Sequence, residues 1–248
     1  MIFQIGFNKA GTGSLYWFFK ENGFNAAHWE HGEVSKRIFD NHNLGQPLLS
    51  GLEHYDVFTD MEHYEGNGVF RYVAMELIEQ LIEQYPKALF IFNTRNKNAW
   101  LKSRINHDEG SYLKRVSDEG GHDIDAVISK WGMDYEKHTS NILKLFIGNP
   151  RFLYFNIDTM DDVSLISFLN KNGIEVDASK WKHRHKTKNK KVIKNPEKNA
   201  DILRDLAIYF EDKRPAVALE LIMEAKKIRP KGKTINDKYS EIKRKVEK

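Results

Sequence analysis

The first fourteen residues, MIFQIGFNKAGTGS, combine an apolar run with a loop of small residues and one lysine. Residues 2–5 predict a strand, and Leu15, Phe18 and Phe19 have the spacing of an apolar helix face. A strand, a glycine loop and a helix start together direct backbone N–H groups and the positive end of the helix towards a phosphate. The segment therefore predicts an anion-binding loop.

The lysine of this loop stands in an informative place. In the phosphate loop of nucleoside triphosphatases, a lysine follows the last glycine, and a serine or threonine behind it holds magnesium. Here Lys9 precedes Gly11, and Thr12 fills the usual lysine position. We therefore expect the loop to hold a phosphate without that magnesium ligand, with Lys9 beside the anion.

A second group with suitable chemistry follows the strongest predicted strand, residues 87–94. Its apolar run is typical of a strand buried on both faces of a parallel sheet. Arg95 at the strand end offers a fork of donors that fits a phosphate, and Ser103 follows eight residues later, two turns into the next predicted helix. The alternative is that Arg95 pairs with a surface carboxylate and that Ser103 takes no part in binding.

Together, the loop and the Arg95–Ser103 pair resemble the sulfotransferase family. In that family a lysine-x-glycine-threonine-threonine/glycine-serine run grips the 5′-phosphosulfate of the donor, 3′-phosphoadenosine 5′-phosphosulfate. A strand-end arginine and a serine eight residues later grip its 3′-phosphate. The strand and helix around residues 153–169 are similar to a late unit of the family, so the resemblance covers about residues 1–195.

The resemblance implies an enzyme that moves a sulfuryl group from this donor to a hydroxyl by in-line displacement. Adenosine 3′,5′-bisphosphate is then the product, and no metal is required. The residues expected to bind the donor are Lys9, Ala10, Gly11, Thr12, Gly13, Ser14, Arg95 and Ser103. Lys9 is also expected to be catalytic, because it can stabilise the charge that grows on the bridging oxygen.

The acceptor hydroxyl must lose a proton, so a general base is expected. His28, after a short predicted strand at 24–27, is the first choice because imidazole titrates near pH 7. Asp60, after the predicted strand 56–59, is the second, either as the base or as the residue that orients it. A purely structural role for His28 remains an alternative. The other candidates that the sequence leaves open are Glu30, His31, Glu62 and His63.

The order of strands and helices predicts the fold class. We expect an α/β three-layer sandwich with a central, mostly parallel sheet like that of P-loop nucleoside triphosphatases. The predicted helices between its strands cover residues 71–84, 97–106 and 123–147. Ligands bind beyond the carboxyl ends of such strands, so the Lys9 loop, Asp60, Arg95 and residues 156–158 should meet in one crevice. Asp158 or Thr159 is expected to cap the helix that follows.

The carboxyl-terminal part differs from this pattern. We expect a sulfotransferase domain at 1–195 and a helical extension at 196–248. The small residues and the Arg-Pro-x-Gly turn of the extension look like about one and a half tetratricopeptide-type units. Because one repeat cannot bury its own face, the extension should pack on the main domain or on a partner, either a second copy or another protein.

Residues 180–198 carry eleven lysines, arginines or histidines. This segment is either a solvated basic loop or a flap over the donor or an acidic acceptor.

The composition excludes several kinds of site and indicates a cellular location. The 248 residues contain no cysteine, which excludes disulfides and cysteine-based metal or redox sites, and the net charge of +4 is too small to indicate nucleic acid. Met1 leads directly into a predicted strand, and no apolar run approaches the roughly 18 residues that span a bilayer. We therefore expect a cytoplasmic protein without a signal peptide or membrane anchor. The histidine pairs 28/31 and 183/185 lack a third ligand, so no metal site is expected.

The acceptor is not specified by the sequence. Residues 30–70 and 107–125 are expected to line its site, and their polarity suits a small-molecule or glycan hydroxyl. One rival function is a P-loop small-molecule kinase, which would need a lysine directly after the glycine and a magnesium-binding carboxylate. The other is a non-catalytic module that binds nucleotide while its tail recruits a partner.

Overall fold

The computed structural model describes residues 1–146, 148–158, 162–182, 200–201, 203–204, 207–208, 211–212 and 215–246. The chain divides into two compact units, residues 1–187 and 188–248. The predicted domain boundary at 195/196 lies outside the described residues, as do the basic residues from 183 to 198.

The first unit is built on a parallel sheet of five strands in the order β2-β3-β1-β6-β7. These strands are β1 (Ile2–Gln4), β2 (Ala26–His28), β3 (Val57–Thr59), β6 (Leu89–Thr94) and β7 (Phe152–Asn156). An antiparallel hairpin stands apart from this sheet and consists of β4 (Glu62–Gly66) and β5 (Val69–Tyr72). Ile2 pairs with Val57 on one side and Leu89 on the other, which places β1 at the centre.

Helices cover both faces of the sheet. They are α1 (Thr12–Glu21), α2 (Glu33–Asn43), α3 (Val73–Glu76), α4 (Ile78–Gln84), α5 (Lys97–Ile105), α6 (Ser111–Gly120), α7 (Ile124–Phe146) and α8 (Asp162–Lys171). Side chains alternate along a strand, so Phe3 packs with α2, α4 and α7 while Ile2 packs with α1 and α8. The predicted α/β sandwich with a parallel sheet is confirmed.

The region around residue 72 differs from the prediction. The single helix expected at 71–84 is wrong: residues 71 and 72 end strand β5, and Leu77, with a φ of −124°, separates α3 from α4. The apolar residues whose spacing suggested the helix are nevertheless buried, among them Val73 and Leu81. The hairpin itself, α2 and α6 were not predicted.

The second unit contains two packed helices, α9 (Pro215–Ile228) and α10 (Lys233–Val246). Their contact surface includes Ala218, Ile222, Ala225, Ile235 and Ile242. The turn between them lies at the predicted Pro230–Gly232 stop, where the N–H of Gly232 donates to the Arg229 carbonyl at 3.1 Å. The likeness to tetratricopeptide units and the packing of this unit on the first stay predictions.

Candidate functional site

The loop between β1 and α1 has a backbone suited to an anion. Lys9 and Gly11 adopt left-handed conformations, with φ of 61° and 87°, and Gly11 is the residue before the first turn of α1. Among the described residues no side chain caps this helix start, and no acidic residue lies in its first turn. The first amides of a helix have no intrahelical acceptor, so they are directed towards the loop together with the positive helix end.

Asn93 on β6 holds this loop against the sheet. Its Oδ1 accepts from the Gly6 N–H at 3.1 Å and from Gln4 Nε2, and its Nδ2 donates to the Ala10 carbonyl at 2.8 Å. A Cβ on Gly6 would lie 1.8 Å from the carbonyl oxygen of Asn93, so only glycine fits there. The side chain of Asn93 therefore fixes the loop to the centre of the sheet.

Arg95 lies directly against the loop. Its Nη1 donates to the Lys9 carbonyl at 3.4 Å, and its Nη2 pairs with Asp158 Oδ1 at 3.1 Å. Arg95 Nε is buried and has no hydrogen-bond partner within the described part of the chain. The pairing of Arg95 with a carboxylate, which the sequence left open, therefore occurs, and it occurs beside the loop.

Asp158 orients the start of α5. Its second oxygen accepts from the Asn96 N–H at 2.7 Å, while the Asn96 side chain caps α5. The predicted role of Asp158 as a cap of α8 finds no support in these contacts, and Thr159 lies outside the described residues. Ser103 is half-buried on α5, and among the described residues no hydrogen bond joins it to Arg95 or to the loop.

The ammonium group of Lys9 meets a histidine that sequence reasoning missed. Lys9 Nζ lies 3.2 Å from Nδ1 of His107. Burial lowers the pKa of Lys9, while Asp60 and Glu62 act in the opposite direction. Burial, and then the charge of Lys9, lower the pKa of His107 to about 4. Because an ammonium group can only donate, His107 accepts at Nδ1 and carries its proton on Nε2. No local motif marks His107, which follows the end of α5.

His28 and Asp60 stand together at the ends of β2 and β3. His28 Nε2 lies 4.0 Å from Asp60 Oδ2, and Thr12 Oγ1 is 3.5 Å from the same oxygen. The Thr59 hydroxyl donates to the Ala27 carbonyl at 2.8 Å, so it accepts from His28 Nδ1 at 2.9 Å. This series of hydrogen bonds fixes the proton of neutral His28 on Nδ1. Nε2, on the Asp60 side, is therefore the basic nitrogen.

Asp60 has an unusual environment. Its φ is 55°, and its N–H donates to Gln4 Oε1 at 2.7 Å, which ties the end of β3 to β1. Burial raises the pKa of Asp60 to about 6, and the charge of Lys9 opposes this shift. The side chains of Lys9, Thr12, His28 and Asp60 therefore meet at one edge of the sheet; the sequence predicted this meeting for the Lys9 loop and Asp60.

Glu62 and His63 are neighbours on β4, yet they face opposite sides. Glu62 is buried and its Oε1 accepts from Asn8 Nδ2 at 2.7 Å; burial, and then Asp60, raise its pKa to about 7. His63 Nδ1 lies 2.9 Å from Ser35 Oγ, and its ring packs against Phe39. Glu62 thus adjoins the loop, whereas the contacts of His63 favour a structural role.

Glu30 and His31 lie in an exposed turn after β2, with φ of 45° and 57°. Glu30 Oε1 accepts from the His28 N–H at 3.3 Å. Glu30 therefore contacts the backbone of His28 from the solvent side, whereas the ring of His31 packs against Trp29.

The described residues show neither a metal cluster nor a membrane-spanning helix. They contain no group of three or more histidine, aspartate or glutamate side chains that could hold a metal ion, and His183 and His185 lie outside them. None of their helices is both long and apolar enough to cross a bilayer.

Fold and site together define an α/β protein with an anion-binding loop, an arginine and a histidine–carboxylate pair at one edge of a parallel sheet. The sulfotransferase domain family matches residues 1–118, just under half of the chain. The predicted resemblance to the sulfotransferase family is thus confirmed for this part of the chain, which runs from the Lys9 loop past Ser103. The match supports sulfuryl transfer as the general activity. No curated protein matches the sequence.

Proposed function

We propose that the chain transfers a sulfuryl group from 3′-phosphoadenosine 5′-phosphosulfate to a hydroxyl of a small-molecule or glycan acceptor. One observation carries the proposal: Arg95 Nη1 lies 3.4 Å from the carbonyl oxygen of Lys9, within the region that matches the family. A nucleotide with phosphates at both its 3′ and 5′ positions can therefore contact the loop and Arg95 at once.

The donor contacts follow from the available groups. The amides of residues 10–14 and the start of α1 suit the 5′-phosphosulfate, since they offer donors and a positive helix end. Arg95 suits the 3′-phosphate, because its buried Nε would gain an acceptor and a phosphate can compete with Asp158 for the guanidinium. Ser103 lies on α5, the helix that follows Arg95, and in this proposal its hydroxyl also donates to the 3′-phosphate.

Lys9 serves the bond-breaking step. As the acceptor oxygen forms its bond to sulfur, the bond from sulfur to the bridging phosphate oxygen breaks and negative charge grows on that oxygen. Lys9 Nζ, now bonded to neutral His107, would exchange this partner for the bridging oxygen. One such donor contributes about 3–4 kcal/mol to transition-state stabilisation in comparable anion holes.

His28 serves the proton transfer. Its Nε2 takes the hydroxyl proton, and the imidazolium that forms is stabilised by Asp60 Oδ2 at 4.0 Å. Asp60 has a pKa of about 6, so its carboxylate is mostly ionised near neutral pH. The products are the sulfated acceptor and adenosine 3′,5′-bisphosphate, with the proton on His28.

Nucleotide binding tests the proposal without knowledge of the acceptor. Calorimetry should show tighter binding of adenosine 3′,5′-bisphosphate than of adenosine 5′-phosphate, because only the former reaches Arg95. Arg95→Ala should remove this preference, whereas Arg37→Ala, an exposed arginine on α2, should keep it. Preference for ATP with magnesium would instead favour a kinase. Binding of the bisphosphate without any transfer to hydroxyls, water included, would favour the non-catalytic module.

A further inference from the structure

A second site adjoins the donor loop at Arg104, which donates to Asn8 of that loop at 3.3 Å. A cavity of about 330 Å³, open to solvent on one side, is lined by the turn and strand β5 of the hairpin and by helices α5, α6 and α7. Its wall includes the aromatic side chains of Phe7, Phe70, Tyr72, Trp100 and Trp131. This volume lies in the range of small-ligand sites, and aromatic walls are typical of them.

Arg104 is the buried charged group of this wall, which also contains Lys130 and Asp134, paired with each other at 2.6 Å. It is only 2% exposed, and its guanidinium carbon lies 4.5–5.4 Å from the ring centres of Tyr72, Trp100, Tyr112 and Trp131. Such rings attract a cation through their electron-rich faces, which offsets part of the cost of burying it. The guanidinium is therefore held rigidly inside an aromatic cage.

Every hydrogen-bond acceptor of Arg104 is neutral. Nη1 donates to Asn8 Oδ1 at 3.3 Å, and Nη2 donates to the hydroxyls of Tyr112, at 2.8 Å, and Tyr72. Within the described residues Arg104 forms no ion pair, and its buried Nε has no hydrogen-bond partner. Glu62 is linked to it through Asn8 and Tyr72, each of which bonds both side chains.

A buried cation with neutral acceptors and an unsatisfied donor is costly to the fold. An anionic group in the cavity would supply both an acceptor for Arg104 Nε and a countercharge. The aromatic wall would at the same time contact a flat apolar body.

We propose that this cavity binds a small molecule with a flat apolar body and an anionic group, which Arg104 receives. The proposal concerns a cavity on the Arg104 side of the donor loop and does not rest on the identity of the donor. Such a ligand is either the acceptor of the transfer or an effector that is not modified, and these two sources share the same recognition chemistry.

A matched pair of probes tests the charge requirement. The full chain, without nucleotide, is titrated by calorimetry with 4-hydroxyphenylacetate and with the neutral 4-hydroxyphenylacetamide. The acid should bind at least about tenfold more tightly, because a charge-assisted hydrogen bond to Arg104 is stronger than a neutral one. Equal binding of the two probes, or no binding of the acid at millimolar concentration, would overturn the proposal.

A cavity-filling variant tests the location while keeping Arg104. Ala126 lines the cavity at an exposed position of α7, so Ala126→Phe should block the acid without disturbing the core. Val163→Phe on α8, where Val163 is 66% exposed, is the matched control and should bind the acid as the unchanged protein does. Unaltered acid binding by Ala126→Phe would contradict the assignment.

Incubation of the acid with 3′-phosphoadenosine 5′-phosphosulfate then separates the two sources. A sulfated product in the mass spectrum identifies the ligand class as the acceptor, and a bound but unmodified acid identifies an effector. Both outcomes support the site. Because acid binding is measured without nucleotide, a failure of adenosine bisphosphate to bind would affect only the proposed transfer activity.

Discussion

Replacing Glu62 with glutamine should remove a loss of stability that the protein suffers as pH rises. Glu62 is 6% exposed, and its Oε2 is buried without a hydrogen-bond partner among the described residues. Burial, followed by the nearby charge of Asp60, raises the pKa of Glu62 from the usual 4.5 to about 7. The folded protein thus holds this proton more tightly than the unfolded chain does.

The direction in which stability changes with pH follows from the higher pKa of Glu62 in the folded protein. Below pH 4.5 Glu62 is protonated in both states, so its ionisation costs no folding free energy. Between pH 4.5 and about 7 the unfolded chain releases the proton first, and the free energy of unfolding falls. A difference from 4.5 to about 7 corresponds to about 3 kcal/mol. Glutamine carries no such proton, so the variant should gain about 3 kcal/mol relative to the unchanged protein across this window.

Urea unfolding at several pH values between 4.5 and 7.5 measures this difference. Tryptophan fluorescence is a suitable probe because all five tryptophans lie within residues 1–187, so the signal reports on the first unit alone. Glu83→Gln, at an exposed position of α4, is the matched control and should show no such trend. If the stability difference between Glu62→Gln and the unchanged protein is the same at every pH, the reasoning is refuted.

Three further predictions concern the donor site. Lys9→Ala should slow hydrolysis of 3′-phosphoadenosine 5′-phosphosulfate by about two to three orders of magnitude while adenosine bisphosphate still binds; Lys36→Ala, on the exposed face of α2, should not, and equal rates in both would contradict the assignment. Gly6→Ala should lower the free energy of unfolding by about 3 kcal/mol in the same urea assay, because its Cβ would overlap a backbone oxygen; unchanged stability would show that the loop adapts. Thr59→Val should lower the hydrolysis rate about tenfold by releasing the tautomer of His28, and an unaltered pH–rate profile would argue against His28 as the base.

The sequence predicted the parts of the fold that depend on local patterns. An apolar run followed by glycines and a helical period specified β1, the loop and α1, because each of these signals extends over only a few neighbouring residues. The strand at 87–94 was equally clear, since burial on both faces removes polar residues from it. The rule that parallel strands share one edge then placed Lys9, Asp60 and Arg95 together.

The hairpin β4–β5 could not be predicted in this way. Its residues, Glu62–Gly66 and Val69–Tyr72, lack a clean alternation, and a bulge shifts the register between Tyr64 and Gly66. The apolar spacing after residue 72 is helical and suggested that the helix began earlier. This segment forms a strand because Glu62 is buried against the loop and His63 is buried against α2.

By itself, then, the sequence determined the residue types available for chemistry: a glycine loop with an internal lysine, an arginine at a strand end and a histidine after a short strand. Only the tertiary structure decided which atoms meet. It brings Lys9 to His107, which is 98 residues away, fixes the proton of His28 through Thr59, and encloses Arg104 in aromatic rings. Periodicity reports on neighbours along the chain, whereas tautomers, pKa shifts and buried cages arise from contacts between distant segments, which exist only once the sheet has formed.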